Sequence, residues 1–259
     1  MNDGFDFDFD LDELSPANET SAYAVERFWS GDLRALTRHH ITPDGARGFV
    51  VAHDQSAMWG TPGSDEIMAI SVTRDLTRFT FTLETSYHAT VAFAQAWLAE
   101  RGCPLGKIGK LYGDVLKPAD DLTVEVEQKI RASGARYEVL ATHTDADSDP
   151  GETWALTRDS RADEVPIRVF REEWEQDAGT YTMREGAFAD VESAHAWLED
   201  RDGPLPEPPE YRYAASAALW ARIALARSAG TSTAPKACLE SPRTPPAETD
   251  RRPAQGRSM

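Results

Sequence analysis

Apolar and polar positions along this 259-residue chain fall into short alternating runs separated by turn residues, and then into stripes at helical spacing. Phe49-Val50-Val51-Ala52, Ile67 to Val72 and Phe79 to Glu84 read as three strands. The third places Phe81 and Leu83 on one face and Thr80 and Thr82 on the other, the period of a half-buried strand. A helix begins near Thr90, with Val91, Ala94, Trp97 and Leu98 on one stripe, and Gly102 and Pro104 stop it. About one hundred residues later the plan returns. Tyr137 to Thr142, Thr153 to Thr157 and Thr180 to Arg184 read as strands, and Asp190 opens a helix carrying Val191, Ala194, Trp197 and Leu198.

Compared without gaps, Thr80–Leu105 and Thr180–Leu205 are identical at eleven of twenty-six positions. Two copies of one supersecondary unit are the natural reading. A Thr-Arg-Asp at 73–75 and again at 157–159 follows the second strand of each copy. On that alignment the second copy carries an insertion of about sixteen residues, whose Ile167-Arg168-Val169-Phe170 would add an edge strand.

Around these units the pattern predicts further helices. Ser21 caps one running through Tyr23, Val25, Phe28 and Trp29, a short turn of helix covers Leu33 to His40, and Pro118 to Ser133 presents Leu122, Val126 and Ile130. An alanine-rich helix follows from Tyr211 to Ala229. The expected fold class is α+β: two tandem related units, each a short antiparallel sheet followed by a packed helix, with flanking helices and disordered termini. The boundaries are a leader at 1–20, a first unit with its preceding helix at 21–117, a linking helix and second unit at 118–206, a helix at 207–229 and a tail at 230–259.

Charge narrows the function classes. The net −17 includes seven acids and no base in residues 1–20 and five bases against three acids in 230–259, which leaves −12 for the middle. An acidic body repels a phosphate backbone, so direct nucleic-acid binding is not expected, and a protein partner of basic character fits better. No run of about eighteen apolar residues and no signal-peptide pattern occurs, and the two cysteines form no disulfide framework. A cytoplasmic location and no membrane partner are expected. Abundant arginine, alanine and proline with scarce lysine and asparagine suggest a bacterial, GC-rich origin.

Candidate chemistry is thin. Asp145, Asp147, Asp149 and Glu152 resemble the start of a calcium loop, but Pro150 stands at the sixth position and Leu156 at the twelfth, where glycine and glutamate are needed. A solvated hairpin is the better reading, with no metal and no cofactor expected. His53 with Asp54, and His143 with Asp145, suggest a paired acid and base, set against local surface hydrogen bonding. Trp97 and Trp197 read as core, and Cys103 aligns with Gly203. Arg74 and Arg158 are candidates to line one groove for an anionic ligand, against a local pairing with Asp75 and Asp159. The leader alternates Phe5, Phe7, Phe9 and Leu11 with aspartates, a pattern suited to docking on a partner or to folding back on its own domain.

These features point to a non-enzymatic interaction, accessory or regulatory protein that binds through its leader or the surface between repeats. The alternatives are an acidic nucleic-acid mimic or immunity-type inhibitor of a basic protein, and a small carboxylate-dependent hydrolase.

Overall fold

Two antiparallel sheets, each closed at one edge by a two-residue parallel strand, carry the chain, and helices separate and cover them. The computed structural model describes residues 9, 11–27, 32–57, 63–109, 111, 116–175, 177–201 and 203–211. All belong to one compact unit, Met1–Arg212. Phe5, Phe7, Phe28, Trp29, the helix expected beyond Tyr211 and the tail lie outside the described residues.

The first sheet contains β1 (Ser15–Pro16), β2 (Leu33–Ala35), β3 (His40–Ile41), β4 (Arg47–Asp54), β5 (Ile67–Asp75) and β6 (Thr80–His88). Its order is β1-β6-β5-β4-β2, with β3 also on β4. The second contains β7 (Lys117–Pro118), β8 (Tyr137–Asp145), β9 (Gly151–Asp159), β10 (Ile167–Glu175) and β11 (Thr180–Phe188), in the order β7-β11-β10-β9-β8. Among the described residues, five α-helices accompany them: α1 (Glu19–Arg27), α2 (Val91–Glu100), α3 (Leu105–Ile108), α4 (Asp121–Arg131) and α5 (Val191–Asp200).

Corresponding strands match in detail. Ser15 pairs with Thr80 and Pro16 with Phe81, as Lys117 pairs with Thr180 and Pro118 with Tyr181. Asn18 accepts from the Ser21 amide at 2.8 Å, and the Ser21 hydroxyl accepts from the Leu83 amide at 3.1 Å. Asp120, Thr123 and Met183 repeat that relay at 2.8 and 3.1 Å. Each relay caps a helix and satisfies a buried strand amide with one short polar side chain.

The order of strands corrects the alignment of the Thr-Arg-Asp turns. β10 lies between β9 and β11, so Ile167–Phe170 is interior rather than an inserted edge. Arg74 lies one residue before the end of β5 and Arg158 one before the end of β9, the inner strands next to β6 and β8 respectively, so the two arginines occupy different places in their sheets. The short helix expected over Leu33 to His40 is instead β2 and β3, because Leu36 and Thr37 spend their amides on the Val51 carbonyl. Pairing to a preformed strand overrides a weak local helix preference.

The leader is part of the fold where it is described. The boundary expected at residue 20 falls inside α1, and the capping residue is Asn18 rather than Ser21. Phe9, Leu11 and Leu14 pack with Ala24 and Leu33 on Val50, Met68, Ile70, Phe81 and Leu83, on one face of the first sheet.

On its other face, Phe49, Val51 and Ala69 meet Ala94 and Leu98 of α2. The opposite side of α2 offers Ala92 and Phe93 to Val126 and Ile130 of α4 and to Phe170 of the second sheet. Thus α2 is an internal layer, buried nearly all round, and its alanines allow that close approach. By contrast α5 has Glu192 and Ser193 where α2 has Ala92 and Phe93, and it buries only Ala194 and Leu198, against the outer face of the second sheet. In α4 the buried stripe is Thr123, Val126, Glu127 and Ile130, while Leu122 faces outward.

Candidate functional site

Each sheet has a cleft on the face covered by its preceding helix, and the strand registers place the two clefts at matching positions. In the first, Met68 lies between Ala52 and Tyr87; in the second, Arg168 lies between Thr157 and Ala187. The same registers set Asp54 against Asp159, and each holds a turn: Asp54 Oδ1 accepts from the Ser56 amide at 2.9 Å, and Asp159 Oδ1 from the Arg161 amide at 3.0 Å. This aspartate stands at the same place in both sheets, and its shared role is to hold the turn.

The first cleft, about 190 Å³, is lined by Tyr23, Asp54, Ser56, Met68, Thr85 and Tyr87 among others. Tyr87 donates to Asp54 Oδ2 at 2.6 Å. Burial alone raises the Asp54 pKa, but the Ser56 and Tyr87 hydrogen bonds outweigh it and hold the carboxyl below its ordinary value.

In the second cleft, about 600 Å³, the same framework carries charge. Lys129 comes from the last turn of α4, Arg136 from the 3-10 turn Gly134–Arg136, and Arg168 from β10. Arg136 grips Asp159 with two bonds of 2.8 and 2.6 Å, and Lys129 reaches both oxygens of Glu185 at 2.8 and 2.6 Å. Asp159 and Glu185 have wholly buried side chains. Arg168, 2% exposed, lies 3.4 Å from Asp159 and 3.7 Å from Glu185. Glu210 approaches from the segment after α5, and Tyr211 donates to Glu185 at 2.6 Å.

The cluster favours the charged forms of Asp159 and Glu210. Burial pushes Asp159 and Glu210 up, but hydrogen bonds and the nearby cations bring both below the usual carboxylate range. The bond to Asp159 raises Arg136, and burial with the Glu185 charge raises Tyr137 and Tyr211. A cluster in which Asp159, Glu185 and Glu210 are each set against cations recognises charge more readily than it relays protons.

At the other end of β9 and β10, the turns that join the strands bring acids together. Asp145, Asp147, Asp149, Glu175 and Asp177 are exposed there. Asp149, Glu175 and Asp177 line a cleft of about 410 Å³ with Trp174 and Gly151. The Gly151 backbone lies so close to the Trp174 ring that an added Cβ would fall 2.2 Å from it, which keeps the indole seated on that strand. No group of three or more His, Cys, Asp or Glu arranged to hold a metal ion occurs among the described residues. Asp145 instead accepts from the Asp147 and Ser148 amides, and Glu152 pairs with Arg171 and Arg201.

The other candidates from the sequence are dispersed. Arg74 is buried and donates to the Phe9 and Gly45 carbonyls, tying the leader down, whereas exposed Arg158 meets Glu138 at 3.4 Å. They do not line one groove. Phe9 and Leu11 lie against the protein's own core. His53 pairs with Glu66 at 2.9 Å, while His143 stands against Trp154 on a different strand. Trp97 and Trp197 are partly buried beneath Arg101 and Arg201. Burial pushes the Cys103 thiol up to about 12, which makes it a poor nucleophile.

Sequence reasoning missed Arg168, Glu185 and Glu210. Spacing alone offers a signal for two of them, since Met68 and Thr85 stand one hundred residues before Arg168 and Glu185. No family model, curated protein or solved structure matches this chain.

Proposed function

We propose that this chain is a non-enzymatic bacterial accessory protein, a duplicated α+β framework that meets a basic protein partner through the acidic end of its second sheet. The observation that carries this reading is the convergence of Asp149, Glu175 and Asp177 around the Trp174 cleft, with exposed Asp145 and Asp147 in the adjoining turn. A ring of exposed carboxylates steers a basic surface, and an aromatic at its centre supplies the apolar contact that anchors an interface. Duplication is supported by the matched registers and by the two capping relays. A cytoplasmic setting is supported by Cys103, a buried free thiol.

An inhibitor of a basic protein remains the second reading, favoured by the net charge of −17. The hydrolase alternative is weaker, because the carboxylates that converge in the second cleft are set against cations.

The test is affinity capture with the tagged full-length chain and with a variant carrying Asp145→Asn, Asp147→Asn and Asp149→Asn. A basic protein should be recovered by the parent, weakly by the variant, and less as salt rises from about 50 to 300 mM. Equal recovery by both chains, or recovery indifferent to salt, contradicts the reading. Added DNA separates the alternatives, since a mimic competes with it and an accessory protein does not.

A further inference from the structure

The second cleft holds a feature that the framework does not need. Where the first sheet is built with Met68 and Thr85, the second has Arg168 and Glu185, and both versions fold to the same registers. Three cations, Lys129, Arg136 and Arg168, face the two wholly buried carboxylates Asp159 and Glu185, which leaves one positive charge over. That charge is met by Glu210, whose Oε1 lies 3.2 Å from Lys129, 3.1 Å from Arg168 and 3.9 Å from Arg136.

We propose that Lys129, Arg136 and Arg168 form a carboxylate-binding site, occupied in this structure by the chain's own Glu210 and open to a free carboxylate ligand when Glu210 withdraws. This stands independently of the acidic end and its partner.

Glu210 is the replaceable member of the cluster. Its side chain is 40% exposed, whereas those of Asp159 and Glu185 are fully enclosed. The segment that brings it is anchored short of the cleft: Leu205 packs beneath α5, Pro206 accepts from the Ala187 amide at 2.9 Å, and Pro208 is buried. Withdrawal therefore involves the residues after Pro208 and not the whole strap.

Arg168 also has unused capacity. Its Nε and Nη1 have no hydrogen-bond acceptor among the described residues, although the side chain is buried and lines the cleft. Buried guanidinium donors without acceptors are costly, and a ligand carboxylate that bridges the Nη1–Nη2 edge, where Glu210 meets Nη2 alone, supplies one of them. The cleft extends past Glu210 to Arg161, Asp163 and Glu164. The two rim acids disfavour a dianion, and a surplus of one positive charge suits a single carboxylate, so a monocarboxylate is favoured over phosphate.

The test uses propionate, which reproduces the Glu side chain beyond Cα, on the full-length protein and its Glu210→Ala variant. Binding is read from the arginine Nε–Hε resonances and from the melting temperature. In Glu210→Ala, propionate should shift those resonances saturably and raise the melting temperature, with the parent needing at least about tenfold more ligand. Adding Lys129→Met should weaken binding at least about tenfold, and inorganic phosphate should bind at least about tenfold more weakly than propionate. If Glu210→Ala does not fold, Glu210→Gln keeps the side-chain volume without its charge and serves in the same titration. No saturable response in the folded variant, an equal response in the parent, or phosphate binding as tightly as propionate overturns the proposal.

Discussion

Arg168→Met should destabilise the protein by about 3–5 kcal/mol, the cost of taking one partner from a buried ion cluster. The substitution writes the first sheet's residue into the second sheet's cleft, so shape is nearly conserved and charge is the main change. What remains is Asp159 with Arg136 and Glu185 with Lys129, both carboxylates fully buried, with Glu210 beside them. Adding Glu185→Thr, the first sheet's other residue at this place, removes the excess carboxylate. The double variant should therefore be more stable than Arg168→Met alone, with a coupling energy of about 1–3 kcal/mol. Urea unfolding measures both. A double variant that loses at least the sum of the single losses would falsify the view that these residues act as one charge-balanced cluster.

Glu172→Gln should have the second large effect, and one that depends on pH. Glu172 lies on β10, on the same face as Arg168 and Phe170. Burial and the charge of Glu127 push its carboxyl up from 4.5 to about 8. Across that window the folded protein holds a proton that the unfolded chain releases. Stability contributed by the protonated carboxyl is complete below pH 4.5 and is lost as pH rises to about 8. Glutamine removes the titration. The gain of Glu172→Gln over the parent should grow from near its value at pH 4.5 to about 2–4 kcal/mol more at pH 8, the lower part of the range that such a displacement allows, since Glu172 keeps an exposed fringe. Urea titrations at pH 5 and pH 8 decide it: equal differences at the two pH values mean that Glu172 titrates normally.

Much of the framework was legible because its signals are local. Thr80–Leu83 alternates, Asp190 caps, and Ala94, Trp97 and Leu98 form a stripe, as the structure shows. The internal place of α2 was also written in its second stripe of Ala92, Phe93 and Ala96, of which α5 keeps only the alanine, as Ala196. The alignment of the inner strands was harder to read. Residues 55–66 join β4 to β5, whereas only residues 160–166 join β9 to β10, so the spacing between halves changes along the chain. That change let the Thr-Arg-Asp turns of β5 and β9 pass as partners and hid the correspondence of Asp54 and Asp159. Arg168 was concealed for a different reason. An alternating Ile-Arg-Val-Phe reads as arginine toward solvent, and what buries it is α4 above and the chain after Pro208, contacts made far away in sequence. The acidic end was visible as residues, but its convergence with Glu175, Asp177 and Trp174 required the turns of two hairpins to meet.

The proposed duplication makes a direct claim about cooperativity. If α2 is the internal layer shared by both sheets, neither half has a complete core alone. Native-state hydrogen exchange in increasing sub-denaturing urea measures this through the amides of β5 and β10. The account predicts that both sets merge into one global opening, with the same free energy and the same urea dependence. Two separate openings, with β5 and β10 exchanging at different free energies throughout, would contradict it.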